Sequence, residues 1–304
     1  MNKKIKVLVV LCMPLVVSAF FSIRYLVSFA TIPDEMSSES FKNDNVLTYE
    51  DVNFTMYSNN ALLVNLTTGE VIFEHDANVR AYPASLTKIM TVLIGLEQAE
   101  GGTMTVKADF ARLTLDNASI VGFEYGEERT LMEVLHGAML SSGADATATI
   151  AYNIAGSYEG FVRLMNERAR EIGMNQTNFM NTSGLHDENH YTTANDMAIL
   201  LRYALGNQTF REIFTAREYP FTNFFGEQHV MASTLFVNLR TTSFAGGEII
   251  GGRTGFTYEA GRCLASLATN GTDELILITL GADSYAESQI AHIFDAFTIY
   301  GYFR

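Results

Sequence analysis

The chain has 304 residues, 48% of them hydrophobic and 18% charged, a balance that fits a packed globular protein and excludes a disordered one. Its net charge is −14, and because residues 1–30 hold Lys3, Lys4, Lys6 and Arg24 with no acid, residues 31–304 sum to −18. So acidic a body argues against nucleic acid as a partner, because binding there rests on cationic contacts to phosphate.

The basic start MNKKIK and the uncharged run Val7–Ile23 read as a signal peptide or N-terminal membrane anchor over residues 1–30, with Val17-Ser18-Ala19 as a candidate cleavage site. The lysines should stay cytoplasmic, which predicts an exported domain, either secreted or held on the extracytoplasmic face of the membrane by an uncleaved anchor. Cys12 falls inside this run, which leaves Cys263 without an intrachain partner and removes any disulfide framework. Residues 31–58 are polar and mixed and read as a linker into a domain over 59–304.

Two strands are predicted at Ala61–Leu66 and Glu70–Glu74, joined by Thr67-Thr68-Gly69. YPASLTKIMT, residues 82–91, follows. Pro83 suits a helix entry, and Ser85 and Lys88, three apart, share one helical face. An amine so placed can take the serine's proton and make it a nucleophile. The helix start adds N–H groups and a dipole that favour developing negative charge. S-x-x-K in isolation is a weak motif, however.

Thr130 and Glu133 form a capping-box pattern opening a helix over 131–140. Ser141-Ser142-Gly143-Ala144-Asp145 ends it. Further helices are predicted over 146–156, over 159–172 with Gly173 as the stop, and over 194–205 behind the cap Thr193-x-x-Asp196. Together they suggest an inserted all-helical subdomain spanning about 100–245. His186 and His190 are spaced like the zinc motif H-E-x-x-H, but Asp187 replaces the glutamate, and Gly184 and Asn189 make the stretch a loop, so no metal is expected.

The last third returns to strands: 248–250 running into Gly251-Gly252-Arg253-Thr254-Gly255-Phe256-Thr257, then 262–268 and 274–280. A closing amphipathic helix is predicted over about 287–300, presenting Ile290, Phe294 and Phe297. Strands at both ends of the chain around a helical middle imply one sheet with that helix packed on it.

Read together, SLTK at 85–88, SGA at 142–144 and RTG at 253–255 fall in the order and spacing of the S-x-x-K, S-x-N and K-T-G motifs of penicillin-recognising serine enzymes. With FVRLMNERAREIGM, NTSGLHDENHYTTANDMA and GGRTGFTYEAGRCLA, the chain from about residue 50 onward resembles the low-molecular-mass penicillin-binding proteins that act as serine-type D-alanyl-D-alanine carboxypeptidases. The resemblance implies an α/β (α+β) β-lactamase/transpeptidase-like fold, with an antiparallel sheet flanked by helices, and a reaction without metal or cofactor. It implies that Ser85 attacks the penultimate D-alanine carbonyl of a peptidoglycan stem peptide ending in D-Ala-D-Ala, with Lys88 as base and Ser142 as proton carrier. Arg253 and Thr254 would meet the terminal carboxylate, and the N–H groups of Ser85 and Phe256, beside Gly255, would form the oxyanion hole. β-Lactams would be covalent inhibitors.

Two positions depart from the pattern. Ala144 stands where the family has Asn and offers no amide to substrate or to Lys88. Arg253 stands where it has Lys, and an arginine keeps its proton. These departures keep open a catalytically weakened penicillin- or wall-peptide-binding protein as an alternative, beside a β-lactamase of the same fold.

Overall fold

The computed structural model describes residues 41, 46–99, 101–107, 118–283 and 289–303. A seven-stranded sheet runs in the order β1-β3-β2-β11-β10-β9-β8. Its strands are β1 (Leu47–Thr48), β2 (Asn60–Asn65), β3 (Val71–His75), β8 (Ser243–Phe244), β9 (Gly247–Thr257), β10 (Gly261–Thr269) and β11 (Glu274–Ala282). β1 pairs parallel to β3 and every other neighbour is antiparallel. The chain's first and last strands thus share one sheet, as the sequence predicts.

The central strands are buried on both faces, so their sequences run apolar instead of alternating with polar residues. Alternate side chains face opposite ways. Leu62, Val64, Ala265, Leu267, Ile276 and Ile278 join the larger core. Ala61, Leu63, Leu264, Leu275 and Leu277 point the other way, onto Ile293, Ala296 and Ile299 of the closing helix (Ala291–Tyr302). That helix is predicted from residue 287; residues 287–288 lie outside the described residues, and it begins at Ala291.

Among the described residues, six helices fill the other face and the region beside it: α1 (Lys88–Gln98), α2 (Leu131–Met139), α3 (Ala144–Ala155), α4 (Tyr158–Glu171), α5 (Ala194–Leu205) and α6 (Gln208–Thr215), with the closing helix as α7. α1 is the hub. It touches each of α2 to α6, and it is buried without a break from Lys88 to Leu96. α5 packs on β11 and β2.

Three expectations change. The inserted region is not all-helical: it carries the ribbons β4 (Thr103–Thr105) with β5 (Glu128–Thr130), and β6 (Glu218–Thr222) with β7 (Gln228–Ala232). The stretch read as linker up to residue 58 is folded from β1 onward, and Ser58 is buried. There Tyr57 N–H and Ser58 N–H donate to the Asp295 carboxylate of α7 at 2.9 and 2.8 Å. α3 also begins two residues early, taking Ala144 and Asp145 into its first turn. Residues 1–30, with the expected signal or anchor, lie outside the described residues. Among the described residues, no helix is long and apolar enough to cross a membrane.

Candidate active site

The turn that carries Ser85 is more distorted than a simple helix start. Residues Ala84–Thr87 form a 3-10 turn leading into α1. Ala84 has φ +46°, a left-handed conformation that costs a non-glycine residue energy unless its surroundings enforce it. The enforcement is visible at Gly184, where a Cβ would lie 1.8 Å from the Ala84 carbonyl oxygen, so only glycine lets the 182–185 loop press on this turn. A second brace comes from His190. Met180 N–H donates to its Nδ1 at 3.4 Å, which leaves the proton on Nε2, 2.9 Å from Thr87 Oγ1, and that hydroxyl donates to the Ala84 carbonyl at 2.8 Å. Burial pushes the imidazole down to about 4, so it is neutral. His186 instead sits edge-on to the Tyr82 ring. The two histidines brace different parts of the turn.

Ser85 Oγ lies 3.1 Å from Lys88 Nζ and 3.1 Å from Ser142 Oγ. Lys88 is 2% exposed, and its ammonium donates to the Ser183 carbonyl at 2.5 Å. Burial first, and the neighbouring Arg253 charge second, hold Lys88 well below the usual lysine range, with Asp145 pulling the other way. A lysine so depressed spends time as a free base. Ser142 has φ +61° at the α2–α3 junction, a second strained residue beside the first.

Arg253 is placed differently from the sequence reading. It is 0% exposed, behind Ser142, and donates to Ser142 Oγ (2.5 Å), the Met139 carbonyl (2.9 Å), Thr234 Oγ1 (3.2 Å) and the Ser85 carbonyl (3.3 Å). Four of its five donors are engaged, so the expected planar fork on a substrate carboxylate is not on offer without breaking these bonds. Burial lowers the guanidinium to about 9, and it stays charged at neutral pH. Thr254 Oγ1 donates to Thr234 Oγ1 at 2.8 Å. Gly255 allows β9 to close on Ser85, since a Cβ there would lie 2.9 Å from Ser85 N. Phe256 is 41% exposed and lines the cleft with Ser85, Lys88, Ser142 and Ala144.

Ala144 is buried against Ala118, Ala148 and Tyr158. Next to it, Asp145 is fully buried and accepts from the N–H groups of Val121, Gly122, Phe123 and Ala146 at 2.9 to 3.2 Å. A buried carboxylate needs such donors, and here they tie the 118–123 loop to the first turn of α3. Ser183, Thr234 and Asp145 escape a sequence reading. Ser183 acts through a backbone carbonyl, which has no signature. Asp145 does have one, an acid in the first turn of a helix, but the predicted helix began too late to show it.

The family model for D-alanyl-D-alanine carboxypeptidase, peptidase S11, matches residues 46–284. Over 282 residues the chain is 33% identical to D-alanyl-D-alanine carboxypeptidase DacF of Bacillus subtilis, covering 90% of this chain and 69% of that protein. It is 30% identical to D-alanyl-D-alanine carboxypeptidase DacB2 of Mycobacterium tuberculosis, covering 77% of this chain and 80% of that protein. The crystal structure of the Streptomyces K15 DD-transpeptidase superposes with a TM-score of 0.72 at 26% identity, over 83% of this chain and 99% of that one. With Ser85 on its strained turn, its depressed lysine and the sheet around them, these matches place the chain in the peptidase S11 family of serine-type D-alanyl-D-alanine carboxypeptidases.

Proposed function

We propose that the carboxypeptidase reaction runs through Ser85 on peptidoglycan stem peptides outside the cytoplasmic membrane. The observation that carries this reading is the pair of 3.1 Å contacts from Ser85 Oγ, to a buried lysine amine and to a second serine. With Lys88 neutral, the Ser85 hydroxyl donates its proton to Nζ as Oγ attacks the carbonyl of the penultimate D-alanine. The oxyanion forms between the N–H groups of Ser85 and Phe256, which the close approach of β9 at Gly255 favours.

Arg253 has only donors, so Ser142 Oγ accepts from it and turns its own proton toward Ser85 and the departing amine. Ser142 protonates the leaving D-alanine and is reprotonated from Lys88. Water, deprotonated by Lys88, then hydrolyses the ester. The Arg253 charge draws the terminal carboxylate into the cleft at long range, and Thr254 presents a hydroxyl nearby. β-Lactams acylate Ser85 by the same attack. The family match favours this reading over a β-lactamase of the same fold.

The test is release of D-alanine from a peptide ending in D-Ala-D-Ala. The unmutated protein should release it, and Ser85→Ala should release none above background. Release that persists in Ser85→Ala sinks the nucleophile assignment, and labelling by a fluorescent penicillin without D-alanine release by the unmutated protein would instead favour a binding protein.

A further inference from the structure

An extended peptide alternates its carbonyls between two sides. If the scissile carbonyl enters the oxyanion hole on the β9 side, the carbonyl one peptide group upstream faces the opposite wall. That wall is made by Ala118, Ser119 and Ala144, and two of the three offer no polar side chain. A carbonyl buried against apolar groups loses its hydrogen bond to water without replacement, which is costly.

Most hydroxyls in the cleft are already committed. Ser85 and Ser142 bond each other, Ser183 Oγ donates to Asn181 Oδ1 at 3.4 Å, and Thr257 Oγ1 accepts from Ala260 N–H at 3.0 Å. Ser119 is exposed and lines the cleft, and its hydroxyl has no hydrogen-bond partner among the described residues. Its backbone is nevertheless fixed. The Ser119 carbonyl accepts from Ala144 N–H at 2.8 Å, and the residues after it hang from the buried Asp145 carboxylate. A donor with no partner among the described residues, on a pinned backbone, is the arrangement a binding contact needs.

We propose that Ser119 is a substrate-binding residue: its hydroxyl donates to the peptide carbonyl immediately upstream of the scissile bond, on the wall where Ala144 supplies nothing. This deepens the proposed reaction and rests on Ser85 as its nucleophile.

The test pairs Ser119→Ala and Ser119→Thr with two substrates. One is an N-acylated D-Ala-D-Ala peptide; the other carries CH2–CH2 in place of the upstream CO–NH. Ser119→Ala should lower kcat/KM about 3- to 15-fold on the peptide, the loss of one neutral hydrogen bond, and leave the methylene analogue unchanged. Ser119→Thr should retain activity on the peptide. An unchanged rate on the peptide, or equal losses on both substrates, would overturn the assignment. Absence of Ser85-dependent release by the unmutated protein is a separate result, which overturns the nucleophile reading and this contact with it.

Discussion

At the scale of single residues, the proposed reaction depends on keeping one amine uncharged. Lys88 is buried beside the charged Arg253, and both conditions oppose its protonation. Acylation should therefore rise with pH as Lys88 loses its proton, along a limb placed well below the ordinary lysine range. Arg253→Gln removes the second cause of that depression, so the limb should move to higher pH, whereas Arg253→Lys, which retains a cation, should leave it nearer its original position. Penicillin acylation rates across pH read this directly, and a limb that stays fixed in Arg253→Gln would show that Arg253 does not act on Lys88 by charge. The same buried placement explains why arginine is tolerated here. Its donors are used by carbonyls and hydroxyls inside the protein, so its unwillingness to give up a proton costs nothing in that role.

At the scale of elements, what the sequence made legible was local. The Thr193 cap and its apolar helix are found where the pattern puts them, because the cap is written in residues three apart: Asp196 N–H donates to Thr193 Oγ1 at 3.0 Å. The three motif stretches were legible for the same reason, each being a few contiguous residues. The β6–β7 ribbon was not. Glu218–Ala232 mixes Pro220, Phe221, Phe224 and Phe225 with charges and shows no clean alternation. Nor was the link between loop 118–123 and α3, which joins a carboxylate to backbone N–H groups more than twenty residues away. That link is open to test. Asp145→Asn turns an acceptor-only group into one with an N–H2 facing N–H donors in a fully buried site. The expected loss is roughly 3 kcal/mol of unfolding free energy, since buried donors lose a charged partner, with slower acylation because Ser119 and Ala144 lose their anchor. Urea denaturation measures it, and a loss below about 0.5 kcal/mol, no more than an ordinary surface change, would show that other contacts hold the loop.

At the scale of the whole molecule, burial lowers the pKa of three imidazoles among the described residues: His136, and His190 and His292 on opposite faces of the sheet. His190 braces the Ser85 turn on one side, and His292 sits in α7 on the other, its Nδ1 buried without a partner among the described residues. Burial pushes each down to about 4; for His292 the Arg262 charge adds to the effect. An unfolded histidine titrates near 6.5. Between those values the unfolded chain binds protons that the folded chain refuses, so the contribution of these two rings to stability is full above about pH 6.5 and falls as pH drops toward 4, by up to about two protons' worth of slope, with His136 acting in the same direction. Asp196 and Asp295, whose carboxyls burial raises, act the other way, since folded they accept protons before the unfolded chain does. Because the histidines begin to act near pH 6.5, well above the ordinary carboxylate range, their loss should appear first as the solution is acidified. Unfolding free energy measured between pH 7 and 5 should decline with acid, and His190→Gln or His292→Gln should each flatten the decline, however much stability the substitution itself removes. A pH-independent stability across that range would mean that both rings gain a proton without unfolding, and that neither the Ser85 turn nor the α7 packing requires a neutral imidazole.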